Sequence, residues 1–474
     1  MQEKSLITEP LGLYGWRPVE SVLLAALLSE EPLLLVGAHG CAKSFVLERL
    51  AESLGLAFRS YNASLLNYDD LVGVPLPNAT RTRLDYLASP ESIWGAEVVF
   101  VDEISRTRPE LQNKLFPIIY DRRVQGRPMP KLVYRWAAMN PPPTDEELEQ
   151  GEALYVGSEP LDAALADRFP FILSVPDWDE LSTAEQEAVL ADQFAGRHDF
   201  PVPIHELVAE ARAQFEALVP ALTPRLTPYI ITLATRLRAL HYDVSTRRAT
   251  MLLRCAIAVH AARLVLAQRL ETEVPELADS AWLSLLNTLP DRARRRLKAA
   301  ELTAVFRMAW AVGQRSADDP VAQLLKVTDP VARLRLMVTK RLELQPDRAA
   351  VVIGEGVAAA KSPLRRGLTL AVYLALREQA ALPASTVELL AQEAMPALAP
   401  AEEQRQSNVW QQSQQLRRIG EQIAEVNQRH GETTALARHH ANLLNSFVFE
   451  KLPDEATVVE ISQAFERLWQ EFKL

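Results

Sequence analysis

Eight consecutive residues have the types and spacing of a phosphate-binding loop: Gly37-Ala38-His39-Gly40-Cys41-Ala42-Lys43-Ser44. The apolar run Pro32–Val36 precedes them, and Phe45–Ala51 follows with apolar residues at helical spacing. Glycines allow backbone N–H groups to close around phosphate oxygens, and a helix N-terminus adds partial positive charge there. The segment therefore predicts a strand, a phosphate-binding turn and a helix. An ordinary tight turn that happens to contain Lys-Ser is the alternative.

Individual roles follow from the chemistry of the loop. Lys43 is predicted to reach the β- and γ-phosphates, and the Ser44 hydroxyl to ligate Mg²⁺. Ala42 stands where the usual motif has glycine, and we expect binding to survive this small steric change. A helix N-terminus also predicts a lowered thiol pKa for Cys41. The candidate nucleotide-binding residues are Gly37, His39, Gly40, Cys41, Ala42, Lys43 and Ser44.

Two carboxylates end the next strongly apolar run. Val98–Val101 predicts a buried strand, and Asp102 and Glu103 follow it directly. Ligands of open α/β sheets lie at the carboxyl ends of the strands. Asp102 is predicted to hold Mg²⁺ through water, and Glu103 to orient and deprotonate an attacking water. The alternative is a strand that merely ends in polar residues.

The polar residues considered next each allow a functional interpretation and a purely structural one. Asn140 follows the predicted strand Leu132–Met139 and could hold the water or the γ-phosphate, or it could simply start a turn before proline. Arg168 could form a surface salt bridge or reach the nucleotide of a neighbouring subunit. Arg247 and Arg248 lie in the first turn of a helix that Ser245 is expected to cap. Cations are unfavourable at a helix N-terminus, which favours a function for one of them over a solvated pair.

The elements that must position these residues form an α/β pattern followed by helices. Five predicted strands make a parallel sheet: Pro32–Val36, Ala57–Tyr61, Val98–Val101, Leu132–Met139 and Phe171–Val175. Small hairpins are predicted within 62–96 and at Arg122–Lys131. After Pro176 the pattern is helical, with segments at His205–Leu218, Pro224–Leu240 and Ser245–Gln268. We therefore predict a core over 1–176, a helical lid over 177–300 and a helical C-terminal region over 301–474.

Composition limits the class of protein. A chain of 474 residues is longer than a single hydrophobic core usually stabilises, which favours more than one domain. Two cysteines argue against a disulfide framework, and the first residues lack the order of a signal peptide, so a cytoplasmic location is expected. No run of about 20 apolar residues predicts a membrane span. The net charge of −10 disfavours non-specific nucleic-acid binding.

Beyond about residue 300 no catalytic pattern is recognisable. Asp319-Pro320 and Asp329-Pro330 are near-repeats, each a predicted N-cap followed by proline at the first helical position.

Taken together, these motifs resemble those of the AAA+ ATPases, more narrowly the MoxR group and within it the RavA branch. The similarity covers about residues 10–300. It rests on Gly37-x-x-Gly40-x-Ala42-Lys43-Ser44, Asp102-Glu103-Ile104, the strand-end Asn140, Asp167-Arg168-Phe169 and Val244-Ser245-x-Arg247-Arg248.

The resemblance implies a role for each matching residue. Lys43, Ser44 and Asp102 would bind phosphate and Mg²⁺, and Glu103 would be the base. Asn140 would be the first sensor, Arg168 a finger acting in trans and Arg247 the second sensor, a role for which the adjacent Arg248 is the rival. The resemblance also implies a homo-oligomeric ring, often hexameric, and a partner with a von Willebrand factor A domain that brings a client protein.

The expected fold is an AAA+ αβα core with a five-stranded parallel sheet, a helical lid and an additional all-α C-terminal region. The expected function is Mg²⁺-dependent ATP hydrolysis that remodels a partner protein in the manner of a chaperone. Two other classes remain open. One is a nucleotide-dependent assembly scaffold with slow hydrolysis, which a turnover measurement would distinguish. The other is a nucleic-acid motor, which the acidic balance disfavours and which nucleic-acid stimulation of turnover would revive.

Overall fold

The computed structural model describes residues 5–82, 84–87, 89–142, 161–192, 203–295, 297–315, 319–342, 344–377, 382–398, 414–448, 452 and 455–474. It divides into two compact units, Met1–Gln314 and Arg315–Leu474.

The first unit is built on a five-stranded parallel sheet. The described strands are β1 Leu33–Val36, β2 Phe58–Asn62, β3 Val74–Pro77, β4 Leu84–Leu87, β5 Val98–Asp102, β6 Arg123–Val124, β7 Arg127–Pro128, β8 Tyr134–Met139 and β9 Phe171–Ser174. The large sheet has the order β2-β5-β8-β1-β9, with every neighbouring pair parallel. β1 and β8 are buried along their whole length. Their sequences, apolar except for Arg135 of β8, suit strands covered on both faces, and the predicted five-stranded sheet is confirmed.

Helices cover both faces of this sheet. The helices of this part of the chain are α1 Glu20–Ser29, α2 Lys43–Ser53, α3 Tyr68–Val72, α4 Pro109–Ile119, α5 Ala163–Ala166 and α6 Thr183–Asp192, of which α6 buries no residue. Side chains alternate along a strand, so Leu33 and Leu35 join one hydrophobic cluster, which also contains residues of α1 and α2. Leu34 and Val36 join a second cluster with residues of α4. The core is therefore a three-layered αβα structure.

Both small hairpins predicted from the sequence are present. β3 pairs antiparallel with β4, and β6 pairs antiparallel with β7. Tyr86 of β4 donates a hydrogen bond to Gln125, in the turn between β6 and β7. The guanidinium of Arg127 lies 5.5 Å from the centre of the Tyr86 ring. The two hairpins therefore contact each other.

Four further α-helices complete the described part of the first unit: α7 Ile204–Ala239, α8 Thr246–Leu270, α9 Leu277–Leu286 and α10 Ala299–Gly313. The prediction of separate helices over His205–Leu218 and Pro224–Leu240 was wrong, because α7 is continuous through three prolines. Pro220, Pro224 and Pro228 recur every four residues on the exposed side. Proline has no backbone N–H, so the carbonyl groups that would have accepted from these positions face water and are hydrated. The apolar side of α7 remains packed.

α8 is also the one described helix with the length and apolar composition of a membrane span, a feature that the sequence reading did not anticipate. In its most apolar stretch 67% of the residues are buried inside the structure. Its buried residues, Leu252, Ile257 and Val259 among them, belong to the hydrophobic cluster shared with α1 and α7. The apolar residues of α8 thus pack against α1 and α7 of the same unit.

One arginine joins the start of α8 to the αβα core. The Ser245 side chain caps α8 by accepting from the Arg248 backbone N–H at 2.9 Å, as predicted. Arg248 itself is fully buried. Its guanidinium donates to Asp167 Oδ1 at 3.2 Å and to the backbone carbonyls of Ala166, Phe169 and Thr288. It is therefore a structural cation.

The second unit is helical in its described part. The helices are α11 Pro320–Lys326, α12 Pro330–Thr339, α13 Pro346–Ala359, α14 Ser362–Leu376, α15 Ala384–Leu398, α16 Gln414–His430, α17 Ala435–Asn445 and α18 Glu455–Phe472. Asp319 and Asp329 each accept two backbone N–H groups at the starts of α11 and α12, which confirms both predicted caps. This unit has a hydrophobic core of its own. The three-part division at 176 and 300 stays a prediction.

We predict that Arg248→Met lowers the free energy of unfolding of the first unit by about 3–5 kcal/mol. The substitution takes from Asp167 its closer and fully buried cation, leaving Ser245 and the more distant Arg247 beside it, and three carbonyl groups also lose a donor. Urea unfolding followed by tryptophan fluorescence measures the change. The matched control is Arg247→Ala, whose side chain is 40% exposed and should change stability by less than about 1 kcal/mol. Equal stability losses in the two variants would contradict the structural role of Arg248.

Candidate functional site

The loop after β1 is shaped by close packing at its first residue. The Gly37 backbone N–H donates to Met139 O at 3.1 Å, which continues the β1–β8 pairing beyond the strands. A Cβ at Gly37 would lie 2.8 Å from Cys41 Sγ and from Val175 Cβ, a distance that requires displacement. Gly40 has φ +82°, a left-handed conformation in which glycine is unstrained. The loop thus needs glycine at both positions for different reasons.

Lys43 begins α2 with its ammonium folded onto the loop. Nζ donates to Gly37 O at 2.8 Å and to Ala38 O at 2.6 Å, and the residue is 9% exposed. Two carbonyl oxygens therefore hold a positive charge beside the loop. A bound phosphate at this place would compete with them for the same ammonium.

Ser44 and Asp102 meet across the mouth of the loop. Ser44 Oγ donates to Asp102 Oδ2 at 2.7 Å, although the two residues are 58 positions apart. Asp102 Oδ1 accepts from the Glu103 backbone N–H at 2.8 Å, which fixes the orientation of the carboxylate. A hydroxyl and a carboxylate are the hard oxygen ligands that Mg²⁺ prefers. The residues present therefore fit a Mg²⁺ ion.

Glu103 lies just beyond the end of β5 in a strained conformation. Its φ of +53° places a non-glycine residue in the left-handed region, where strain accumulates at functional positions. Its carboxylate is 3.4 Å from Arg106 Nη1, and Arg106 belongs to the short 3₁₀ turn Ile104–Arg106. Glu103 is thus turned toward the cavity edge with a cation beside it.

Asn140 follows β8 and is 5% exposed. Its amide Nδ2 lies 3.0 Å from His39 Nε2, so a residue of the phosphate loop contacts the residue at the end of the neighbouring strand. The sequence predicted both as site residues without predicting that they touch.

Most of the predicted residues converge on one cavity of about 280 Å³. Predicted residues in its lining are His39, Gly40, Ala42, Lys43, Ser44, Asp102, Glu103 and Asn140. The lining also includes Phe45, Asn62 and Met139, which the sequence reading missed. Asn62 ends β2 directly opposite Asp102 in the parallel register. Its position at the end of a predicted strand could therefore have marked it as a site residue.

Two predicted loop residues lie behind the cavity lining. Gly37 borders a second cavity, of about 540 Å³, that extends toward Ser174, Arg292 and Leu297. Cys41 is half-buried and donates to Ala38 O at 2.7 Å. The expectation of a lowered thiol pKa was wrong: burial raises the pKa of Cys41, and the opposing charge of Lys43 does not offset it. Cys41 precedes the helix and is turned inward, so desolvation is the stronger influence.

Arg168 and Arg247 do not line the cavity, and they lie together at the end of α4. The Arg168 guanidinium is 4.2 Å from the centre of the Phe116 ring, and that of Arg247 is 4.9 Å from the centre of the Tyr120 ring. Partial burial and the nearby charge of Arg247 lower the pKa of Arg168. The roles predicted for them in nucleotide chemistry stay predictions.

Comparison with known proteins identifies the core. Residues 32–169 match the family model of the AAA domain, dynein-related subfamily. The part of the chain that is similar to this family is the αβα core. The matched segment contains the loop, Asp102, Glu103, Asn140 and Arg168. It supports nucleotide binding and ATPase activity of the kind typical of the family.

Relatives add little beyond this domain. The uncharacterised protein YeaC of Bacillus subtilis (strain 168) is 32% identical over 165 residues, which is 34% of this chain and 48% of YeaC. The chain thus spans about half the length of that relative. A solved structure of a candidate ATPase from Cytophaga hutchinsonii covers 64% of this chain and 92% of its own, at 19% identity and a TM-score of 0.44. A likeness that weak supports no functional conclusion.

The conformation of Ala42 predicts a stabilising substitution. Ala42 has φ +60°, a region that costs a residue with a Cβ roughly 1–2 kcal/mol. Glycine removes that cost but adds about 0.4–1 kcal/mol of unfolded-state entropy. We therefore expect Ala42→Gly to raise the free energy of unfolding by about 0.5–1 kcal/mol, measured by urea or thermal unfolding.

The matched control is Ala213→Gly, at an exposed position inside α7. There the same change should destabilise the protein by about 1 kcal/mol, because glycine is a poor helix former. A loss of stability at both positions would show that the left-handed conformation of Ala42 is not the native one.

Proposed function

We propose that this protein is a Mg²⁺-dependent ATPase that works as a ring and uses ATP hydrolysis to remodel or activate a partner protein. The observation that carries the proposal is the meeting of Lys43, Ser44 and Asp102 around one cavity, with Glu103 and Asn140 in the same lining. A cation for phosphate, an oxygen pair for a metal and a carboxylate for water are the groups that phosphoryl transfer needs. The AAA domain match supports the same conclusion.

The substrate would lie along the loop, across both cavities. The triphosphate fits the smaller cavity beside Lys43, where backbone N–H groups and the start of α2 favour negative charge. The larger cavity borders the same loop at Gly37 and Ala38 and is also lined by Arg292, from the 3₁₀ turn Pro290–Ala293. This second space would take the nucleoside, so ATP would contact the core and the lid together.

Ser44 and Asp102 would hold the Mg²⁺ ion. The ion would neutralise charge on the phosphate oxygens. Glu103 would accept a proton from the attacking water, and the Asn140 amide would help to position that water or the γ-phosphate. Lys43 would leave Gly37 O and Ala38 O to bind phosphate, since a charge-assisted bond to an anion is stronger than one to a carbonyl.

Hydrolysis would be completed by a neighbouring subunit. Arg168 is on the edge of the core, over Phe116, and does not line the cavity of its own chain. This position suits a finger that enters the site of the next subunit in a ring, for which six copies are the expected number. Arg247, close by over Tyr120, remains the better candidate for the second sensor, because Arg248 is fully buried by structural contacts.

Motion of the helical lid against the core would then act on a client protein, with a von Willebrand factor A domain protein as the expected partner. The C-terminal unit has its own core, as a partner-binding or assembly domain requires. Both cysteines are free thiols, which agrees with the cytoplasmic location that belongs to this proposal. A nucleotide-dependent scaffold is the main competing function, and it differs in predicting little turnover.

Lys43→Ala and Glu103→Gln should separate binding from hydrolysis. Loss of the Lys43 charge should weaken ATP binding by about 10- to 100-fold, given ~1.5–3 kcal/mol for a hydrogen bond to a charged group. Glu103→Gln should bind ATP normally and hydrolyse it about 10²–10⁴ times more slowly. Calorimetric binding and phosphate release measure the two effects.

Glu103→Gln held in ATP is also the form in which a partner should co-purify, and Lys43→Ala is its control. If Glu103→Gln turned over like the wild type, Glu103 would not be the base. If the wild type itself bound ATP and hydrolysed almost none, the scaffold function would be favoured.

Arg168→Ala should bind ATP almost normally and lose most hydrolysis, since an arginine finger contributes about 10³–10⁵ in rate in well-studied GTPases. Mixing Arg168→Ala with Lys43→Ala subunits should restore some activity. Where the two variants meet, an Arg168→Ala subunit can supply the intact phosphate loop and a Lys43→Ala subunit the intact finger. Phosphate release by the mixture, at rising protein concentration, is the measurement.

Wild-type specific activity should also rise with concentration until assembly saturates. Full activity of Arg168→Ala, or inactive mixtures that demonstrably co-assemble, would show that Arg168 is not the finger.

A further inference from the structure

We propose that His39 is a positioning residue for Asn140, and that it sets the orientation of the Asn140 amide in the cavity. The observation is the 3.0 Å contact between His39 Nε2 and Asn140 Nδ2. The inference rests on the proposed ATPase function, because it assigns His39 a role in the hydrolysis step.

The backbone that precedes His39 is held by two contacts. Ala38 O accepts from Cys41 Sγ at 2.7 Å, a contact that does not depend on Lys43. Gly37 is tied to Met139, the residue before Asn140, at 3.1 Å. The imidazole and the amide are therefore brought together by two adjacent strands and a fixed loop, rather than by a free side chain.

Hydrogen-bond chemistry decides what the contact does. An amide nitrogen can only donate, so in this contact Nε2 of His39 accepts, as it does in the tautomer that carries its proton on Nδ1. Asn140 is 5% exposed, so its amide has few other partners in water. Holding Nδ2 against His39 directs Oδ1 away from the loop. That oxygen can then accept a hydrogen bond from water in the cavity that Glu103 also lines.

His39 could instead be a direct phosphate ligand, and the two roles predict different kinetics. A ligand present in both ground and transition states changes KM or the ATP dissociation constant, while a group that orients Asn140 changes kcat. The contact as it stands uses the Nε2 lone pair on the amide. A neutral imidazole in that arrangement does not present Nε2 as a donor to phosphate.

The test compares full-length His39→Ala, His39→Gln and Asn140→Ala with the double variant His39→Ala/Asn140→Ala. We expect His39→Ala to lower kcat by about 3- to 10-fold, the scale of one neutral hydrogen bond, with the ATP dissociation constant changed by less than about twofold. His39→Gln should recover part of the loss, because its carbonyl oxygen can accept from Nδ2. The double variant should be no slower than Asn140→Ala, since the two residues act as one unit.

A readout without turnover accompanies the kinetics. In the nucleotide-free protein the side-chain amide resonance of Asn140, assigned by its loss in Asn140→Ala, should shift in His39→Ala and return toward its wild-type position in His39→Gln. His205→Ala, at an exposed position at the start of α7, is the control and should change neither the resonance nor the rate.

An unchanged resonance in His39→Ala would remove the contact, and with it the proposal. An unchanged kcat, or a rise in the ATP dissociation constant alone, would show that His39 does not position Asn140. Additive losses in the double variant would have the same meaning. A wild-type chain that binds ATP without turnover would instead overturn the ATPase function and the positioning role together, while the amide resonance would still report whether the contact exists.

Discussion

Parallel pairing of adjacent strands is the constraint on which the site depends. Backbone hydrogen bonds fix Val36 beside Met139, Val101 beside Ala137 and Asn62 beside Asp102. Because parallel strands end at the same edge of a sheet, the residues that follow them must meet there. Lys43, Asp102 and Asn140 thus come from distant parts of the chain and still share one cavity. The strand pairing alone brings these residues together, so no separate long-range contact between their side chains is needed.

That edge also concentrates local strain. Ala42 and Glu103 both adopt positive φ values without being glycine. Each lies where the chain leaves a strand or enters a helix and must turn sharply to present a side chain. The surrounding hydrogen bonds, from Lys43 to the loop carbonyls and from Glu103 N–H to Asp102, hold these turns in place. The site is therefore ordered by its own polar contacts before any nucleotide is added.

The sequence was sufficient for features that depend on local pattern. Apolar runs identified four of the five strands, and the distance from the loop identified β2. Asp319 and Asp329 identified two helix starts, because a capping carboxylate acts within its own turn. The continuity of α7 was not predictable from its prolines, since it depends on which side of the helix meets solvent. The thiol of Cys41 was misjudged for a similar reason: its burial is a tertiary property. The place of Asn62 in the cavity lining could have been predicted from the end of its strand. The contact between His39 and Asn140 could not.

Asp167 joins the start of α8 to the short segment that carries Arg168. Its carboxylate accepts from Ser245 and from the buried Arg248, both at the start of α8, and it directly precedes Arg168. Arg248 further binds the carbonyls of Ala166 and Phe169, on either side of that pair. The first turn of α8 and the short segment that carries Arg168 are thus linked by buried hydrogen bonds, which are costly to break. A displacement of α8 that preserves these bonds must therefore carry the segment of Arg168 with it.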